Sequence, residues 1–173
     1  MTTGTLVVLT GASGAGKTTI ARAVQQAHPD CEVRFFDSIG IPTVEAMAAF
    51  GAGHEPGGAW QRAMTLQWIE RIAPTLNLGR TVLFEGQMRI AFIKEALFTH
   101  NIARARILLV DCSDVVRKAR LIHDRASPEL ANDDMLNWAR YLRREAASIG
   151  CETLNTDTLS IAQAVDRIAV YFE

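Results

Sequence analysis

"TLVVLTGASGAGKTTIARAV", residues 5–24, sets an apolar run, a glycine-rich turn, a lysine and two threonines in one short stretch. Gly11, Gly16, Lys17 and Thr18 satisfy the spacing G-x-x-x-x-G-K-[ST]. An apolar run before the turn and a helical pattern after it supply the strand and helix that such a loop needs. Glycines let successive backbone N–H groups face one anion, and the helix N-terminus adds partial positive charge. Gly11, Ala12, Ser13, Gly14, Ala15, Gly16, Lys17, Thr18 and Thr19 are therefore expected to cradle the phosphates of a nucleotide. Lys17 is placed to span β- and γ-phosphates, and the Thr18 hydroxyl to ligate Mg²⁺.

Working outward, apolar runs alternate with helical patterns along the whole chain. Strands are expected at 6–10, 32–36, 81–84, 106–110 and 152–155. Helices are expected at 17–27, 44–50, 60–73, 90–99, 114–124, 133–147 and 161–171. Runs such as "VVL" and "ILLV" are continuous rather than alternating, as in parallel strands covered on both faces. The alternation predicts a three-layer α/β fold with right-handed crossovers, and ligands bound at the carboxyl ends of the strands. No repeat, linker or low-complexity tract divides residues 1–173, so one domain is expected. Two stretches interrupt the pattern. Residues 41–78 offer two helices joined by "GAGHEPGG", and residues 125–131, "RASPELA", break two arginine-bearing helices. The first is expected to bind an acceptor, and 117–144 to form a lid with its flanking helices.

Composition narrows the partners. The chain has 173 residues, 49% apolar and 21% charged, with a net charge of −1. That balance gives no field for nucleic acid or an anionic membrane, and no stretch reaches the roughly 20 apolar residues of a membrane span. "MTTGTLVVLTG" lacks a basic leader pattern, so no signal peptide is expected. Three cysteines lie far apart, which suits a reducing cytoplasm, and the four histidines have no metal-ligand spacing. The expected partner is a small molecule, with the protein a monomer or homodimer.

The strand ends carry the chemistry. Asp37 closes "EVRFFD", about 20 residues after Lys17. If that strand neighbours the first, its carboxylate faces the γ-phosphate and can take a proton from an attacking hydroxyl or orient it. The alternative is a helix or turn cap, a part better suited to Ser38. In "LFEGQMR", Glu85 can hold Mg²⁺ through water or hold acceptor hydroxyls, and Arg89 can clamp an anionic group. Half of the 18 basic residues fall between 104 and 144. Arg117 and Arg120 share a helical face, as do Arg140, Arg143 and Arg144. Closing over the transferred phosphoryl group is their functional reading, and surface ion pairs with Asp114, Asp124 and Asp133 are the alternative. Arg62 is a further acceptor contact, Trp60, Trp68, Met64 and Met47 read as core, and Asp157 and Thr158 are placed near the base. "DSIG" at 37–40 mimics a GTPase switch but comes one strand early, and no N-K-x-D follows. The adjacent strand-end acids of motor ATPases are also missing.

This pattern resembles the nucleotide-kinase-like group of P-loop kinases, which includes adenylate, shikimate and gluconate kinases and chloramphenicol phosphotransferase. "EGQMR" is similar to the D-G-x-P-R of adenylate kinases, with Arg89 retained. "RKARLIHDR" and "NDDMLNWARYLRR" resemble the segments that lead into and out of their lid, which implies roles for Arg117, Arg120, Arg140 and Arg143. The resemblance implies a five-stranded parallel sheet, Mg-ATP as donor and a mobile lid. The T-G-D-x-x-R segment of adenylate kinases is missing, and Asp37 looks like the carboxylate of members that phosphorylate a hydroxyl. The expectation is an ATP-dependent small-molecule kinase acting on a hydroxyl. Lys17, Asp37, Arg117 and Arg120 are its catalytic groups, and Arg117 also contacts nucleotide. Asp37, Glu85, Arg89, Arg140 and Arg62 bind the acceptor, and Thr18 and Glu85 bind the metal. A nucleoside monophosphate kinase and an ATP-binding regulatory protein are the alternatives.

Overall fold

The computed structural model describes residues 4–40, 42–51 and 58–173. Strand β1, Leu6–Thr10, is buried along its whole length. It can be continuously apolar because both of its faces and both of its edges are covered. The other strands are β2 (Glu32–Phe35), β3 (Val82–Gly86), β4 (Ala105–Asp111) and β5 (Glu152–Asn155). They form one five-stranded sheet in the order β2-β3-β1-β4-β5. Every ladder is parallel. The register pairs Leu9 with Glu85 and Thr10 with Gly86, so Glu85 emerges beside the start of the phosphate loop.

Seven α-helices are seen among the described residues: α1 (Lys17–Ala27), α2 (Val44–Ala48), α3 (Gly58–Asn77), α4 (Ile90–Thr99), α5 (Asp114–Ala119), α6 (Asp133–Ser148) and α7 (Ile161–Ala169). Successive side chains of a strand face opposite ways, which divides the core. Val7 and Leu9 pack with Ile20 and Val24 of α1 and Ile168 of α7. Leu6 and Val8 pack with Trp68, Ile69 and Ile72 of α3 and Ile93 of α4. Helix α6 covers Leu109 through Leu142 and Ala146. Helices lie on both faces of the sheet, and the three layers expected from the alternation are present.

Phe84 anchors the second of these clusters. It has no exposed surface, and its ring lies 6.2 Å from Phe36 and 5.4 Å from Trp68. Removing so large a buried ring leaves a cavity, so Phe84→Ala should lower unfolding free energy by about 3–5 kcal/mol. Urea denaturation of the variant beside the wild type measures this. A loss below about 1 kcal/mol would contradict the packing.

Several boundaries differ from expectation for local reasons. Strand β2 stops at Phe35, because Phe36 turns down into a 3₁₀ turn, Phe36–Ile39, and packs edge-on against Trp60. Ser38 does not cap the helix that follows. Its hydroxyl donates back to the Phe35 carbonyl, and Thr43 caps α2. Helix α3 does not end before Pro74 but runs on to Asn77. Leu76 is buried there, and its carbonyl accepts from Gly4 N at 2.8 Å; these contacts outweigh the hydrogen bond that proline cannot donate. The helix expected over 114–124 changes at Arg120 into a π-helical turn, Arg120–Asp124. Met64 and Trp68 are core, as expected of the stripe. The connection "GAGHEPGG" lies mostly outside the described residues.

Candidate active site

The turn after β1 is shaped by its glycines. Gly11 has φ of 154°, and a Cβ there would sit 2.2 Å from the Val110 carbonyl oxygen of β4, so no other residue fits. Gly16 enters α1 at φ 100°, in the left-handed region, and α1 has no side-chain cap. Thr43, Ser113, Asn132 and Ser160 cap α2, α5, α6 and α7. The orphan N–H groups of α1 are thus left for a ligand. They open into a cleft of about 680 Å³ lined by Gly14, Gly16, Lys17, Thr18 and Thr19.

Lys17 is buried, and its Nζ donates to the Ala12 carbonyl at 3.2 Å. Burial pushes its pKa down to about 8, against the pull of the Glu85 and Asp37 carboxylates. Glu85 is buried as well and accepts from the Thr18 hydroxyl at 3.2 Å. Desolvation raises its pKa, and Lys17 and Thr18 only partly offset this. Each group is therefore a buried charge short of compensation. A phosphate on Lys17 and a divalent cation beside Thr18 and Glu85 would supply it. Among the described residues no group of three or more His, Cys, Asp or Glu could hold a metal. One hydroxyl and one carboxylate is the sparse oxygen set that suits Mg²⁺, which keeps waters and phosphates as its other ligands.

Asp37 reaches the cleft by a different route from the one expected. Strand β2 is not beside β1, because β3 lies between them. The 3₁₀ turn after β2 instead carries Asp37 over the end of β3, to the cleft wall, where Lys17 and Glu85 both feel its charge. Gln87, given no role from the sequence, also lines the cleft. Its amide donates to Ser13 Oγ at 2.9 Å and accepts from Ser13 N at 3.2 Å. Gln61 of α3 fixes this turn by donating to the Gln87 carbonyl at 2.7 Å and accepting from Arg89 N at 2.9 Å.

The arginines are sorted by the fold. Arg120 lines the cleft and donates to the carbonyls of Gly14 and Ala15 and to Thr156 Oγ1 at 2.8 Å. Arg125, not singled out from the sequence, also lines the cleft, with Nη1 3.5 Å from Ser13 Oγ, and its charge reaches Lys17 and Glu85. It stood in view as the last residue of "RKARLIHDR". Five of the arginines expected at the site lie outside the cleft lining. Arg117 shares with Arg120 the face turned to the loop, as expected, but is wholly buried behind it, donating to the Ser13 carbonyl rather than lining the cleft. Arg89 packs over the rings of Phe92 and Tyr141 and pairs with Glu145 at 3.6 Å, so its guanidinium is outside the described cleft lining. Arg140 pairs with Asp114 at 3.0 Å. Arg62 pairs with Glu95 on the surface. Arg143 reaches Asp111 and Asp114, also away from the cleft lining.

The cleft is also lined by Thr156, Leu159, Ser160 and Ile161. Asp157 and Thr158 are turned elsewhere: Asp157 accepts from Ser113 N at 2.9 Å, and Thr158 donates to the Asn155 carbonyl at 3.2 Å.

The chloramphenicol phosphotransferase-like protein family matches residues 4–123. No curated protein matches the chain. Solved structures share the fold at low identity. A sugar kinase from Janibacter sp. HTCC2649 is 20% identical, with 97% of this chain and 94% of that one covered and a TM-score of 0.67. The shikimate kinase of Acinetobacter baumannii, in complex with shikimate, is 18% identical over 97% and 92%, with a TM-score of 0.61. The APS kinase of Mycobacterium tuberculosis, in complex with AMPPNP and APS, is 15% identical over 99% and 98%, with a TM-score of 0.65.

Proposed function

This chain belongs to the chloramphenicol phosphotransferase-like proteins and is a phosphotransferase of P-loop kinase type; from that premise we propose that it moves the γ-phosphoryl group of ATP to a hydroxyl of a small molecule. The observation that carries this reading is the placement of Asp37 in the same cleft wall as Lys17 and Glu85. With Glu85 beside Thr18 available for the metal, a second carboxylate there is suited to orient an acceptor hydroxyl and take its proton. The acceptor oxygen attacks the γ-phosphorus while the bond from that phosphorus to the β,γ-bridging oxygen breaks. The hydroxyl proton passes to Asp37, and ADP leaves. Lys17 and Arg125 neutralise charge on the phosphoryl oxygens. Thr18 and Glu85 would hold Mg²⁺, which when bound screens the phosphate charge. Leu159 and Ile161 supply an apolar wall for the base, and the segment from Arg125 closes over the phosphates to exclude water.

Arg89 supports a hydroxyl over a nucleoside monophosphate as acceptor. The arginine that would clamp an acceptor phosphate is engaged with Glu145 and two aromatic rings. The same reading places the protein in the cytoplasm, which suits three free thiols, and gives it a small-molecule partner. The test is ADP release from Mg-ATP against nucleosides, nucleoside monophosphates, sugars, hydroxy acids and hydroxyl-bearing antibiotics. A marked rise with one hydroxyl class supports the proposal. A rise only with nucleoside monophosphates replaces it, and a rate indifferent to every acceptor counts against transfer.

A further inference from the structure

Arg117 has no exposed surface, yet it sits within one residue's reach of the phosphate cradle. Its Nη1 donates to the Ser13 carbonyl at 2.6 Å, and its Nη2 to Asp111 Oδ1 at 2.5 Å. Its Nε is buried with no hydrogen-bond partner among the described residues. A buried guanidinium with an unmet donor costs stability, and a packed apolar side chain would serve the fold as well or better. The arrangement therefore calls for a reason outside packing.

We infer that Arg117 is a positioning residue that sets the tip of the phosphate loop, turning the Gly14 N–H into the cradle by holding the Ser13 carbonyl on the other side. The peptide unit is planar and trans, so its C=O and N–H point in opposite directions. Fixing the Ser13 oxygen behind the loop aims the Gly14 N–H forward, and Gly14 lines the cleft. The same device recurs at the Ala15 carbonyl, which Arg120 and Thr156 Oγ1, the latter at 2.8 Å, hold from behind, with Gly16 lining the cleft in front. Ser13 is held from the front by Gln87 and from behind by Arg117.

Asp111 aims the guanidinium. It also receives Arg143 of α6, and Arg143 pairs with Asp114, which pairs with Arg140. Three arginines on two carboxylates leave one positive charge in surplus behind the loop, which favours an anion in front of it. Two helices that flank the polar break, α5 and α6, thus meet on the carboxylate that steers the loop.

The inference rests on the phosphate-loop reading, and the experiment separates the two. ADP and AMP affinities are measured by calorimetry for the wild type, Lys17→Ala, Arg117→Met, Arg117→Lys and, as a stability control, Leu142→Ala in the α6 core. The temperature is one at which each variant is folded. Arg117→Met should weaken ADP about tenfold or more while leaving AMP unchanged, because the loop tip serves the outer phosphates. Arg117→Lys, which keeps one donor for Ser13, should recover part of the loss, and Leu142→Ala should leave the ADP-to-AMP ratio alone. Should Arg117→Met not fold, Asp111→Asn carries the same test, with a smaller fall in the ratio. An unchanged ratio in folded Arg117→Met, or in Asp111→Asn where that variant is the one used, overturns the inference. So does a parallel loss of ADP and AMP. If Lys17→Ala also leaves ADP affinity unchanged, the phosphate-loop reading itself fails and takes the inference with it.

Discussion

Lys17→Ala should lower phosphoryl transfer by about 10³-fold and weaken ADP and ATP together, leaving the fold intact. Among the described residues the side chain is the one lysine lining the cleft, and a preorganised cation aimed at developing charge contributes on this scale. Its burial adds a pH signature. In the free protein desolvation holds Lys17 near pKa 8, below its ordinary 10.5. The unfolded chain therefore holds this proton more tightly, and the lysine's share of stability improves as pH rises from about 8 to 10.5. Bound phosphates reverse the preference, since they favour the charged amine. Above about pH 8 binding must take up a proton, so ADP affinity should fall as pH rises from 7 toward 10, by at most about tenfold per pH unit. Calorimetry in buffers of different ionisation enthalpy reads the proton uptake directly. A wild-type affinity flat across this range, or the same alkaline fall in Lys17→Ala, would remove Lys17 as its source.

Asp37→Asn should lower kcat by about 10²–10⁴-fold with the preferred acceptor and leave the ATP dissociation constant near its wild-type value. The substitution keeps size and a carbonyl acceptor but removes the group that takes the proton. Asp37 is exposed on a short 3₁₀ turn and ties its backbone carbonyl to Gly40 N at 3.0 Å, so the variant should fold normally. A base acts on kcat, while a residue that merely binds the acceptor acts on its KM. Full turnover in Asp37→Asn would end the proton-acceptor role. A rise in acceptor KM at unchanged kcat would make Asp37 a binding group only.

The loop, its lysine and its threonine were legible because their geometry is local. Gly11 to Thr18 are contiguous, and the conformation depends on glycines at fixed offsets between a strand and a helix. Glu85 was legible as a strand-end acid, but it falls beside the loop only because β3 pairs with β1. The arginines were harder, because a helical face says which residues share a side but not which side is inward. Arg117 and Arg120 lie three apart and were read as one pair. Both do reach the loop, but the Ser13 carbonyl and the Asp111 carboxylate hold Arg117 in the interior, while Arg120 lines the cleft. Arg89 sits at the start of α4 as the motif suggests, but Glu145, 56 positions later, pairs with it.

By itself, the sequence determined the three-layer α/β class, the phosphate cradle, Lys17 and Thr18 within it, and the two acids, Asp37 just past β2 and Glu85 near the end of β3. Those follow from short-range backbone stereochemistry and from apolar periodicity, both written over a few consecutive residues. Only the tertiary structure decided the strand order that puts β3 between Asp37 and the loop. It also decided that Arg120 and Arg125 face the cleft while Arg62, Arg89, Arg140 and Arg143 are spent on carboxylates, and that Arg117 stands behind the loop. A long flexible cation is placed by whichever partner the fold brings near it, and those partners lie tens of residues away in the chain.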